Sequence, residues 1–441
     1  MVERSVRLRM PTAAAQPAAP ARTNPFRAFF PALASEAVFL DNAGGSQLPG
    51  AVIDAMHRYL TTSFVQTGAD YAASKAATAT VKQAHEYLKT LMGVSHAAST
   101  GEVIIGASTS QLCRMLADCY ADVLSPGDEV ILCETAHESN VGPWMRLAKQ
   151  GVTIKTWKIG GASMFGEVVE SAGGPSRMKA LKDLITSRTK LIAFPQVSNI
   201  LGEIVDVPAI TKLAHEAGAR VVVDGVAFAP HRAIDVSAWD VDWYVYSTYK
   251  VFGPHAAAMY GKADAMAELN GPNHYFIPRT EVPRKFELGG ANHESCAAIA
   301  ALETYLTHAA KAWGGVPHPP EPRAIVERAF HAFEVIENDL QRHFMQWLLA
   351  QPTLRVVGPA NDHPSRVCTI SFVSTRGVSS KAIAQHCNAK GLGIRYGNFY
   401  AYRLCEALGL NPADGVVRAS FAHYNTHEEV DRLIAALAEI I

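Results

Sequence analysis

Residues 220–255 read RVVVDGVAFAPHRAIDVSAWDVDWYVYSTYKVFGPH. The run RVVVD is β-branched and apolar up to its last residue, the pattern of a strand covered on both faces. It stops at Asp224, where a parallel sheet presents its carboxyl edge and where ligands gather. Lys250 follows in YSTYKVFGP, with the apolar stretch WYVYS before it and VFGP after it. Those flanks place the amine in a buried cleft, where loss of water favours its neutral, nucleophilic form. An aldehyde cofactor needs an amine to hold it, and a pyridine ring used as an electron sink needs a carboxylate to keep its nitrogen protonated. Lys250 and Asp224 supply these two groups. Without that context, an aspartate after a strand is a helix cap and a lysine near glycine is solvated.

The pattern extends upstream. The short apolar runs VIIG at 103, VILC at 130, TIKTW at 153 and LIAF at 191 alternate with longer helical patterns, which predicts a parallel α/β sheet. Downstream, the proline-broken stretch GGVPHPPEPRA at 314–324 marks a boundary, and a long helix is expected over about 325–350. Thr426 and Glu429 form a capping box ahead of Val430, Leu433, Ile434 and Leu437 at helical spacing, so the chain closes on a packed helix. Residues 1–24, rich in Ala, Pro and Arg, are expected to be a disordered tail, with an organelle transit peptide as the sharper alternative. The predicted units are that tail, a large domain over 25–315 and a small one over 316–441.

The chain has 441 residues, enough for two or three cores without disulfides. Lysine plus arginine number 40 against 41 aspartate plus glutamate, so no overall field favours nucleic acid or an acidic membrane. The seven cysteines are scattered, with no CxxC pair or zinc-ligand spacing, which predicts a reduced, cytoplasmic protein and no metal site. No apolar run approaches the roughly 18 residues of a membrane helix. No G-x-G-x-x-G follows a strand, which argues against a nicotinamide dehydrogenase.

Eight stretches occur in order: LDNAGGSQLP at 40, GASTSQ at 106, AHESNVGPW at 136, QVSNILG at 196, VVVDGVAFAPH at 221, YSTYKVFGP at 246, GGAN at 289 and VRASFAHYNT at 417. Together they resemble the class V aminotransferase family, in its cysteine desulfurase and selenocysteine lyase branch. The resemblance implies the cofactor pyridoxal 5'-phosphate and a type I fold. That fold has a mostly parallel seven-stranded sheet in the large domain and a smaller C-terminal α+β domain, to which the N-terminal segment contributes. It also implies a homodimer, with residues near Asn292 approaching the partner's cofactor phosphate.

The resemblance assigns a role to each matching position. Lys250 is the Schiff-base lysine and Asp224 the ring-nitrogen partner. Ser108, Thr109 and Ser247 hold the phosphate, His137 stacks on the ring and is free for proton transfer, and Asn199 reaches the phenolic oxygen. Arg418 clamps the substrate carboxylate, and Arg395 in GIRYGNFY is a further substrate-binding arginine. The chain departs from the branch where a catalytic cysteine is expected in R-x-G-x-x-C: it has Arg395, Gly397 and then Tyr400. Cys405, further along, reads as a core residue. Ala227 and the pair Gly289–Gly290 also replace the usual cofactor-contacting types. The expected activity is therefore a cysteine desulfurase-like or C–S lyase reaction on a small amino acid, without a persulfide cysteine. An aminotransferase or epimerase on the same scaffold is the alternative, and a non-catalytic cofactor-binding protein the third reading.

Overall fold

The computed structural model describes residues 24–94, 101–158, 175–316, 318–360 and 365–441. Except for Asn24, the expected N-terminal tail lies outside the described residues. The Asn24 amide donates to the carbonyls of His423 at 2.6 Å and Asn425 at 2.9 Å.

Thirteen strands are described in chain order: β1 Val38–Phe39, β2 Gly101–Gly106, β3 Glu129–Cys133, β4 Thr153–Trp157, β5 Thr189–Pro195, β6 Arg220–Asp224, β7 Trp243–Ser247, β8 Ala257–Lys262, β9 Leu354–Val357, β10 Thr369–Ser374, β11 Leu392–Gly393, β12 Arg395–Gly397 and β13 Val416–Ser420. Seven of them form one sheet in the order β2-β8-β7-β6-β5-β3-β4. All its pairs are parallel except those of β8, which runs against both β2 and β7. The expected mostly parallel seven-stranded sheet is therefore present.

Alternation explains why these strands read as continuous apolar runs. Val103, Ile131, Ile192, Val221, Val223 and Tyr244 face one buried cluster, while Ile104, Val130, Leu191, Val222, Trp243 and Val245 face another. Successive side chains point to opposite faces, and both faces are covered, so no polar positions are called for. The residues that break the run sit at strand ends, and there the polar groups collect.

The proline-rich stretch is followed by the helix Pro322–Leu349, with a proline in its first turn, where the missing N–H costs nothing. Beyond it, β12-β13-β10-β9 make an antiparallel sheet with its own apolar cluster. The final helix His427–Ala438 starts from the expected capping box of Thr426 and Glu429. The N-terminal segment crosses to this region: β1 pairs with β11, and Asp41 bridges to Ser420. No helix among the described residues is long and apolar enough to cross a membrane.

Candidate active site

β6 ends on Asp224 and β7 on Ser247, and the turn Thr248–Lys250 carries the lysine over the same sheet edge. Asp224 is buried, and one of its oxygens accepts the Val226 N–H at 3.0 Å. Burial raises its pKa, against the pull of that N–H and of the Lys250 charge. The Lys250 amine has its pKa lowered to about 8, first by burial and then by the Arg418 guanidinium, while Asp224 and Asp41 act in the opposite sense. A neutral amine is thus accessible near physiological pH.

His137 opens a short turn, its Nδ1 accepting the Ser139 N–H at 3.1 Å with the Ser139 hydroxyl at 2.8 Å. An N–H donated to Nδ1 leaves the proton of the neutral ring on Nε2. Burial, then Lys250 and Arg418, depress the ring's pKa to about 4, so His137 is uncharged at neutral pH. Its ring lies 5.2 Å from that of Tyr400.

The three hydroxyl residues meet at one place. Ser108 caps the helix Thr109–Ala121 by accepting the Gln111 N–H, and the Thr109 and Ser247 hydroxyls are 2.7 Å apart. The first N–H groups of that helix have no carbonyl to reach within it, and the helix dipole adds positive potential. These features make an anion cradle, as phosphate requires.

Asn199 donates from its amide to the Phe399 carbonyl at 2.8 Å, and its buried Oδ1 has no partner among the described residues. Arg418 is 2% exposed. It donates to the Asn199 carbonyl at 3.2 Å, pairs with Asp41 at 3.0 Å, and lies 3.7 Å from the Phe399 ring centroid. Arg395 stands on the surface side, 3.3 Å from the other Asp41 oxygen. Asp41 and Phe399 are additions to the residues expected from sequence. Asp41 lies inside the motif LDNAGGSQLP, which was the one signal for it.

Tyr400 is the residue found where the sequence resemblance implies a catalytic cysteine. Phe399 and Tyr400 both have left-handed backbones, φ 49° and 60°, a conformation that costs about 1–2 kcal/mol per non-glycine residue. Asn398 holds the loop: its side chain accepts the Tyr400 N–H and donates to the Pro412 carbonyl. The Glu138 N–H, beside His137, is bonded to the Tyr400 carbonyl at 2.8 Å. Backbone strain kept in place by such contacts is a feature of functional loops.

Cys405 is fully buried in an apolar cluster, and burial pushes its thiol up to about 11. All seven cysteines are buried and unpaired. A thiol-reactive aromatic disulfide added to the native protein is accordingly expected to titrate fewer than one group per chain, against seven after denaturation. One full, rapid equivalent in the native state would reveal an accessible thiol. Ala227 is buried, Gly289 and Gly290 have positive φ with open space around them, and Asn292 caps the helix His293–Ala300 from an exposed position. Among the described residues no group of three or more His, Cys, Asp or Glu side chains is placed to hold a metal.

The sequence pattern of the family described as Aminotransferase class-V matches residues 38–313 and 324–433. The chain belongs to the class V aminotransferase family. The break in the match falls on the proline-rich stretch before the long helix. The Aminotransferase-like protein FGM3 of Gibberella zeae is 38% identical over 94% of this chain and 97% of its own length. A cysteine desulfurase of Synechococcus elongatus is 30% identical over 91% of this chain and 60% of its own. Among solved structures, the cysteine desulfurase CsdA of Escherichia coli superposes with a TM-score of 0.75 at 26% identity, covering 95% of this chain and 98% of that one. This class V member is an enzyme of the cysteine desulfurase-like branch.

Proposed function

We propose that this enzyme binds pyridoxal 5'-phosphate and cleaves the C–S bond of a cysteine-type amino acid, releasing sulfur as a free small molecule. The observation that carries the reading is the meeting of Lys250, Asp224, His137 and Arg418 at one sheet edge, close enough to shift one another's protonation. The residues fit the cofactor. Ser108, Thr109 and Ser247 would hold its phosphate. Asp224, with one oxygen lacking a described partner, would face its ring nitrogen, and the Asn199 amide oxygen is buried without a partner among the described residues. When bound, the cofactor supplies an electron sink for charge developing at the substrate's α-carbon.

The chain's own residues do the rest. Arg418 holds the substrate carboxylate, a task suited to a planar guanidinium. The Lys250 amine, with its lowered pKa, takes the α-proton. His137, neutral and protonated on Nε2, would give a proton to the departing sulfur, with the Tyr400 ring 5.2 Å from its own. The C–S electron pair departs with sulfur. Cysteine and water then give pyruvate, ammonia and sulfide, with no oxidant and no thiol acceptor. The burial of all seven cysteines supports a route without a persulfide carrier.

The same reading includes a homodimer working in the cytoplasm, with a large unit over 25–315 and a smaller one over 316–441. Ile53, Leu60, Phe64 and Tyr71 are exposed on and after the helix Gly50–Thr62, and that helix packs on the one capped by Asn292. An apolar patch of this kind is suited to a subunit contact. The test is product identity from L-cysteine with the cofactor-loaded enzyme. Sulfide and pyruvate in equal amounts are expected. Alanine formed with stoichiometric sulfur transfer, or a new amine formed only when a keto acid is added, would replace the lyase reading with a desulfurase or an aminotransferase.

A further inference from the structure

A cleft of about 570 Å³ is lined jointly by residues of the segment 37–47 and the strip 388–395, which the β1–β11 pairing joins, with Phe39, Asp41, Gln47, Asn388 and Arg395 among its walls. Arg395 on β12 lies directly opposite Arg418 on β13, and opposed residues of an antiparallel pair project from the same face, where like charges repel. Asp41 offsets the repulsion by dividing its carboxylate, one oxygen 3.0 Å from Arg418 and the other 3.3 Å from Arg395. One negative charge between two positive ones leaves a surplus positive charge at the inner end of the cleft.

The two arginines are not equivalent. Arg418 is enclosed and engages Asp41, the Asn199 carbonyl and the Phe399 ring. The Arg395 side chain is 57% exposed, and its only described hydrogen bond is the long one to Asp41, so most of its fork of donors faces the opening. Gly44 belongs to the same arrangement. A Cβ there would meet Asp41 Oδ2 at 2.6 Å and Arg395 at 3.1 Å, displacing the carboxylate that keeps the two guanidinium groups together.

We infer that the cleft is a side-chain subsite, and that the enzyme takes a cysteine-type amino acid whose sulfur substituent ends in a second anionic group paired with Arg395. This rests on the reading of Lys250 as the cofactor lysine and Arg418 as the α-carboxylate clamp. Cysteine itself ends at its sulfur and leaves the cleft and Arg395 unused. A carboxylate carried on a short chain from sulfur fills the one and neutralises the other.

The test uses the cofactor-loaded enzyme and three probes: L-cysteine, S-(2-carbamoylethyl)-L-cysteine and S-(2-carboxyethyl)-L-cysteine. The change in the cofactor's visible absorbance reports binding. The acidic conjugate is expected to bind at least about 10-fold more tightly than its neutral near-isostere, the scale of one charge-assisted hydrogen bond. Arg395→Gln brings the two within about twofold. Ala37→Trp, which narrows the cleft at another of its lining residues and leaves both arginines in the chain, weakens both conjugates relative to L-cysteine. A spectral response to L-cysteine with no preference for the acidic conjugate, or a preference that survives in Arg395→Gln, overturns the subsite alone. Absence of any response to all three overturns it together with the lysine-cofactor reading.

Discussion

Lys250→Ala, loaded with pyridoxal 5'-phosphate, is expected to lack the visible band that borohydride abolishes in the wild type, and to lose about 10³-fold or more in turnover. Both losses have one source, because the same amine would hold the aldehyde cofactor and move the α-proton. The wild type makes a second, pH-resolved statement. An exposed lysine stays protonated up to about pH 10.4, whereas the pKa of Lys250 is lowered to about 8 by burial and by Arg418. Below that pH the amine carries a proton and cannot attack; above it, it is free. The rate of cofactor attachment to the apoprotein should therefore climb through pH 8 and level off well before ordinary lysines react. A borohydride-sensitive band that persists in Lys250→Ala would move the attachment to another lysine.

Phe333→Ala is expected to destabilise the fold by about 3–5 kcal/mol, measured by denaturant unfolding of the apoprotein. Its ring is fully buried, stacks on His423 at 3.6 Å between centroids, and meets Phe26, Phe252 and Phe330 edge-on at 5.5, 5.8 and 5.3 Å. Those partners come from the N-terminal segment, the loop after Lys250, the long helix itself and the stretch after β13. No single element can move in to fill the space, so the cavity term adds fully to the lost transfer energy. Because Phe252 stands two residues from Lys250, cofactor affinity should fall as well. A loss below about 1 kcal/mol would mean that the cluster collapses around the gap.

The large sheet was legible because both its faces are buried: an unbroken β-branched run such as VVVD suits a strand covered on both sides and little else, and its last residue points to the ligand edge. The eight ordered motifs identified the family and named the candidates, and the structure brings Lys250, Asp224, His137 and Arg418 near enough to shift one another's protonation, with Asn199 bonded to Arg418. Other features carry no local signal. The reversed direction of β8 depends on which neighbour it joins, and AAMYGK reads the same in either sense. The pairing of Asp41 with Arg395 and Arg418 joins residues at opposite ends of the chain, and nothing in LDNAGGSQLP says which cations it will meet. The left-handed Phe399 and Tyr400 were hidden because neither is a residue type that favours that conformation. They are held there by Asn398, Asn199 and Glu138, not by their own preference.

The bond from Arg418 to Asp41 spans 377 positions, and Asn24 reaches across to Asn425 over 401. Contacts of that span form only after both partners have been synthesised, so the candidate site is completed late. The large sheet has all seven strands once residue 262 has emerged, yet Asp41 must wait for β13, which begins at Val416. A chain halted short of that point holds Lys250 beside an unclosed wall, with Arg418 not yet in place. Completion of the candidate site is thus coupled to synthesis far beyond the large sheet, a long-range dependence that slows assembly.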